Sequence, residues 1–206
     1  MTTLRSADLD DEVAVFLAER ARRTAAEFGR EPRELPLLEW GESAEYRADT
    51  GDGPTIFVAR EGADWWRIRY QIAHEVFHWL CTPPQTFHWT HELFAVEVAL
   101  RAMDELGEFD YAARSVESLT EQAKLLPLHA MLVTPLAPPY PAGLYGRAWT
   151  TGRLLDEAVG WERLKLLASS FGLTGQPDFI GWLRSLPQRD GTKVQAVVGT
   201  PSATWV

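Results

Sequence analysis

Three residues in the stretch "RYQIAHEVFHWLC", Arg69 to Cys81, carry side chains able to do chemistry together. His74, Glu75 and His78 form H-E-x-x-H. On a helix, four residues make one turn and a little, so the two imidazoles lie one above the other on a single face and can converge on a tetrahedral zinc. Glu75 stands about 100° round the helix from His74, close enough to accept a proton from a zinc-bound water without occupying the metal. The spacing suits both halves of the chemistry.

Two histidines can also fall four apart by chance on a core helix, in on the order of one chain in a hundred. Three features weigh against chance. The flanks Ile72, Ala73, Val76, Phe77, Trp79 and Leu80 are apolar, so the motif is expected inside, where imidazoles and a carboxylate without partners are costly. Four of the five histidines fall between residues 74 and 91. A carboxylate also waits on the next helix, as a third ligand requires.

That helix, "HWTHELFAVEVALRAM", offers His88, His91, Glu92 and Glu97. Glu92 shares its face with Ala95 and Ala99, small residues that allow close packing, and is the expected third ligand. Glu97 points about 140° away and reads as an exposed partner for Arg101 at i+4. His88 and His91 are expected at the rim or in a substrate cleft, and either could replace Glu92 if the loop turns differently. Cys81 shares the face of His74 and His78, but roughly 10 Å along the axis separates it from His74, too far for one ion. It reads as a buried, inert thiol.

The elements that must position these groups are legible in outline. Residues 8–28 space Val13, Phe16, Leu17, Ala21, Ala25 and Phe28 as an amphipathic helix that Gly29 stops. "LPLLEW", "SAEYRAD" and "TIFVAR" read as three short strands, the last two joined by the turn-forming "TGDGP". Because Ile56 and Val58 alternate with Phe57 and Ala59, the third strand is expected to be apolar on both faces. Helices follow at 65–80, ended by Pro83 and Pro84, at about 90–106 and at 110–125. After the proline-rich "PLAPPYPAGLYG", read as a long ordered loop, helices are expected at roughly 147–171 and 177–186, then a tail with no clear period. The fold class is α+β: a small N-terminal mixed sheet packed on the H-E-x-x-H helix, then a mainly helical half. One domain is expected over 1–206, with 1–81 holding the first helix, sheet and motif helix, 82–187 the glutamate helix and a helical subdomain, and 188–206 the tail.

Composition bounds the partners. A chain of 206 residues with a net charge of −9 has no clustered cations with which to neutralise phosphates, so neither nucleic acid nor an anionic membrane surface is an expected partner. Arg20, Arg22 and Arg23 read as a solvated helix face. The single cysteine cannot form an internal disulfide, and neither an apolar leader nor a membrane-length apolar run is present, so the cytoplasm is the expected location.

On H-E-x-x-H and the following helix, the sequence resembles the gluzincin metallopeptidases, in particular the zinc aminopeptidases and small peptidase-MA-like domains. In that branch the second helix opens with a Trp, followed by the Glu ligand and then an Ala at three-residue steps; Trp89, Glu92 and Ala95 occupy those places, while the glycine after the glutamate is Leu93 here. The resemblance implies zinc held by His74, His78 and Glu92, with Glu75 as general base. Through "LYGRAWTTGRLLDEAVGWERLKLLASSF" it implies Tyr145 as the tyrosine that steadies the oxyanion, with Tyr140 and Arg147 as possible substitutes in binding substrate. The segment "RIRYQIAHEVFHWL" followed by E-x-x-A also resembles the ImmA/IrrE metallopeptidases, which implies the same zinc site.

The expected activity is zinc-dependent hydrolysis of a peptide or related amide bond, with an extended substrate pairing with the sheet edge. The Gly-x-Met-Glu-Asn stretch by which aminopeptidases capture an amine is missing, which lowers the odds of exopeptidase action. Two other readings compete: a zinc-binding regulatory module without turnover, against which the intact Glu75 counts, and a small-molecule amidase on the same fold.

Overall fold

The structure is a computed structural model that describes residues 11–31, 34–59, 64–81, 88–133, 140–169 and 177–199, the side chains of Asp11 and Val133 excepted. The expected proline stop at Pro83 and Pro84, residues 135–139 of the proline-rich segment and the last residues of the tail lie outside the described residues. The architecture is α+β, mostly helical with one three-stranded mixed sheet. The chain divides into two compact units, Met1–Pro84 with Glu97–Ala113 and Gln85–Val96 with Arg114–Val206.

In the first unit, α1 (Asp11–Glu27) buries Val13, Leu17, Ala21 and Ala25, the stripe its period predicts. Strands β1 (Leu37–Gly41), β2 (Glu45–Arg47) and β3 (Thr55–Ala59) pair in the order β1-β3-β2, β1 parallel and β2 antiparallel to β3. As the central strand, β3 is shielded on both faces. Ile56 and Val58 are fully buried, and Arg47 on β2 lies over the ring of Phe57 at 4.8 Å.

Helix α2 (Trp65–Cys81) begins where Asp64 accepts a hydrogen bond from the Arg67 amide at 2.9 Å, an N-cap that satisfies a first-turn donor. It packs on α1, with Phe77 edge-on to Phe28 at 5.1 Å between ring centroids, and on the sheet. The Oε1 of Gln71 accepts from the buried Ala59 amide at 3.0 Å, tying the end of β3 to the helix one turn before His74.

Helix α3 (Trp89–Glu105) is shared, its residues up to Val96 belonging to the second unit and those from Glu97 to the first. Every residue from Trp89 to Leu100 is buried. Glu105 near its end takes Arg23 at 3.0 Å and Arg20 at 3.3 Å. Arg20 is only 5% exposed, so the basic cluster on α1 is not the solvated face its charge suggested: one of its three cations is buried because a carboxylate meets it.

Helix α4 (Phe109–Ala123) runs out of the first unit after Ala113. The second unit continues with α5 (Leu128–Val133), α6 (Leu144–Val159), α7 (Trp161–Ser169), α8 (Phe179–Ser185) and α9 (Gln188–Val198), with α5, α7 and α9 packed on α6. Two sequence expectations change here. The helix expected over 147–171 is two, because Gly160 takes φ 83° and turns its amide back to the Asp156 carbonyl at 2.6 Å, ending α6. The tail is not aperiodic: α9 buries Asp190, Val194 and Val198 at four-residue steps, a stripe hidden by its charged first member, which Arg163 meets at 2.5 Å. No described helix is long and apolar enough to cross a membrane.

Candidate metal centre

Helix α2 holds His74 and His78 on one face, their rings 4.9 Å apart between centroids and their Nε2 atoms 3.1 Å apart. Two ligands on a tetrahedral zinc with bonds of about 2.0–2.1 Å stand about 3.3 Å apart, so the imidazole pair already has the separation one ion imposes. Glu92 on α3 completes the group. One ligand atom from each of His74, His78 and Glu92 lies within 4.8 Å of the others, and among the described residues this is the group of His, Cys, Asp and Glu side chains that could hold a metal ion.

The chemistry of the donor set fits zinc. Two imidazoles and one carboxylate bring a single negative charge against a divalent ion, and three protein ligands leave a fourth tetrahedral position for water. His74 and Glu92 are 9% and 3% exposed and His78 is half-buried, so the ion would be largely screened from solvent yet not sealed. Glu75 is itself buried, with Oε1 4.0 Å from Nε2 of His74. That distance is too long for a direct hydrogen bond and right for a carboxylate that reaches a water sharing the ion with His74.

The remaining candidates are placed as follows. Tyr140 is half-buried, and burial, with the charge of Glu92 second, holds its phenol above its ordinary value. Tyr145, in the first turn of α6, is 39% exposed. Arg147 donates to the carbonyl of Leu126 at 2.7 Å and to that of Ala123, closing the C-terminal end of α4, which is a structural task for its guanidinium.

His88 and His91 are 7% and 0% exposed, so neither ring stands on an open rim. The His88 Nδ1 accepts from the Thr90 amide at 3.2 Å, and the His91 Nδ1 accepts from the His88 amide at 3.3 Å. Both imidazoles therefore serve the start of α3. Glu97 does pair with Arg101, at 2.9 Å, but it is 8% exposed rather than on the surface, because α3 is buried on all sides along this stretch. Cys81 is a buried free thiol, as expected.

Sequence reasoning missed the packing just past Glu92. Leu93 and Phe94 follow it: Leu93 lies against Gly152 of α6, where a Cβ would come within 2.4 Å of the leucine Cγ, and Phe94 meets Trp161 at 5.8 Å between ring centroids. A glycine inside an otherwise regular helix was the available signal, since such a glycine marks a close approach. Tyr70, one turn before His74, packs on His74 with ring centroids 6.5 Å apart and on Tyr111 at 5.9 Å, an aromatic flank that helical spacing alone could have placed. Compared with known proteins, the chain matches no family model, no curated protein and no solved structure.

Proposed function

We propose that this chain is a zinc-dependent hydrolase that cleaves a peptide or related amide bond, with a gluzincin-type ligand set of His74, His78 and Glu92. The observation that carries the reading is the juxtaposition of a three-ligand group with a fourth, non-ligand carboxylate: Glu75 sits 4.0 Å from the His74 ligand nitrogen. A structural zinc site has no use for that second buried carboxylate.

Zinc in this site would lower the pKa of bound water toward neutrality and polarise the scissile carbonyl. Glu75 takes the water's proton and returns it to the leaving amine, a role that suits a carboxylate held beside the ligands by the same helix. Tyr145, the phenol the gluzincin resemblance implies, would donate a hydrogen bond to the developing oxyanion, with Tyr140 as its possible substitute. Gln71 keeps β3 against the helix that carries the histidines, so a substrate strand added to the sheet would be held in register with the site.

Zinc per chain, measured by elemental analysis after purification without chelator, tests the ligand set. Near one equivalent is expected in the parent and in Glu97→Ala, and strong loss in Glu92→Ala. A peptide-library screen then tests turnover: Glu75→Gln should keep its zinc and lose at least about 100-fold in rate, the usual worth of a general base. Zinc without cleavage of any peptide or amide would leave a binding module, and no zinc after reconstitution would end the metallohydrolase reading.

A further inference from the structure

The two histidines at the start of α3 have no part in the mechanism above, yet both are buried and both hydrogen-bond. We infer that His88 and His91 are positioning residues of the metal centre, forming a capping box made of imidazoles that fixes the helical turn presenting Glu92. The inference rests on the reading of His74, His78 and Glu92 as zinc ligands.

Each ring accepts from a backbone amide at the helix start. His88 precedes the first helical residue, Trp89, and its side-chain Nδ1 accepts from the amide of Thr90 at 3.2 Å, with the Thr90 hydroxyl 2.8 Å away. Three residues on, the His91 Nδ1 reaches back to the His88 amide at 3.3 Å, while the His91 amide donates to the His88 carbonyl at 2.9 Å. A capping box ordinarily pairs a Ser or Thr at the cap with a Glu or Gln three residues later, each side chain accepting from the other end's backbone. Here the return half is that of the box, His91 accepting from the His88 amide three residues back, while the His88 ring accepts from Thr90, two residues on, because the His91 amide is taken by the His88 carbonyl; the acceptors are ring nitrogens. An amide can donate to Nδ1 only where that nitrogen carries no proton, so the arrangement predicts the Nε2–H tautomer for both neutral rings.

Glu92 follows His91 directly. If these bonds are lost, the His88 and Thr90 amides lose their ring acceptors and the first turn, to which Glu92 belongs, is freer to fray. Partners that orient a metal ligand from outside typically carry about 10- to 100-fold in metal affinity. The burial of the two rings suits this task and not a substrate contact, for which one of them would have to face an opening.

Zinc affinity, read by competition with a chromophoric chelator, and the thermal midpoint of the zinc-free protein together test the inference. His88→Ala and His91→Ala should weaken zinc by about 10-fold or more. His88→Asn and His91→Gln, which restore cap acceptors in the usual chemistry, should bring affinity back to within about threefold of the parent. Asp178→Ala is the control: Asp178 caps α8 by accepting from the Gly181 amide at 2.7 Å, so its loss should lower the midpoint and leave zinc affinity unchanged. Zinc bound by the alanine variants as tightly as by the parent would overturn the positioning role and leave the zinc site standing. A parent that binds no zinc would overturn the site and the inference with it. Should the alanine variants fail to fold, nitrogen NMR of the parent's histidines decides: both rings as the Nε2–H tautomer support the box, and an Nδ1–H proton on either overturns it.

Discussion

Gly152→Ala probes the packing of the residue next to Glu92. Gly152 is buried in the middle of α6, and a Cβ built on it would lie 2.4 Å from Leu93 Cγ and 2.9 and 3.0 Å from its two methyl carbons. Carbon atoms settle at about 3.5–4.0 Å, so the nearest contact is short by more than about 1 Å. Leu93 is 1% exposed and has no open space into which to swing. Helix propensity alone would make alanine more stable than glycine by about 1 kcal/mol. Overpacking of a buried contact costs about 1–3 kcal/mol, and a shortfall this large belongs at the upper end, leaving a net loss of about 2 kcal/mol. Leu93→Ala alone should cost about 2–5 kcal/mol through the cavity it opens. In the double variant the new methyl enters that cavity, so the two costs should fall short of their sum by about 1–3 kcal/mol. Urea unfolding of the four zinc-free proteins reads the cycle. Additive costs would mean that the two residues do not touch, and a Gly152→Ala protein more stable than the parent would mean that α6 does not approach Leu93 as described.

Gly146→Ala should be worse than Gly152→Ala, above about 3 kcal/mol, because its Cβ would lie 2.2 Å from the Leu119 carbonyl oxygen and 2.7 Å from the Ala123 nitrogen, backbone atoms that cannot rotate away; a neutral result in the same urea titration would deny the close approach of α4 and α6. Gln71→Leu removes the acceptor of the buried Ala59 amide and should cost about 1–3 kcal/mol, with faster exchange of the Ala59 amide proton as the local readout. Tyr145→Phe should lower kcat by about 100-fold if its phenol donates to the oxyanion, while Tyr140→Phe should leave kcat nearly unchanged; the reverse order in steady-state kinetics would move the role to Tyr140.

The parts of the site that were legible in the sequence are those that helical spacing alone determines. His74 and His78 share a face of α2 whatever that helix packs against, and Glu75 follows at its fixed angle. Glu92 was legible because Ala95 and Ala99 mark the close-packed face of its own helix. What failed depended on burial. Glu97 pairs with Arg101 as the four-residue step requires, but the same step could not reveal that α3 is buried all round, so a carboxylate expected in water lies inside. His88 and His91, expected at the rim or in a cleft, are buried, which spacing alone could not show, and their rings accept from the His88 and Thr90 amides at the start of α3. Helix α9 escaped notice because its buried stripe begins at Asp190, which is buried only because Arg163 meets it from α7.

Leu93 shows how a large residue beside Glu92 is accommodated by a small one far along the chain: Gly152 on the facing helix leaves the space that Leu93 fills, and Phe94 packs the next position against Trp161. Volume across a buried contact is what packing conserves, and which side supplies it is free to vary. The helix that bears Glu92 is then held by a box at its start and by an exchanged large-small pair one residue past the ligand, two restraints that act on neither the metal nor Glu75. Their effects should separate in experiment, the pair in folding stability and the box in metal affinity relative to an equally destabilising cap elsewhere.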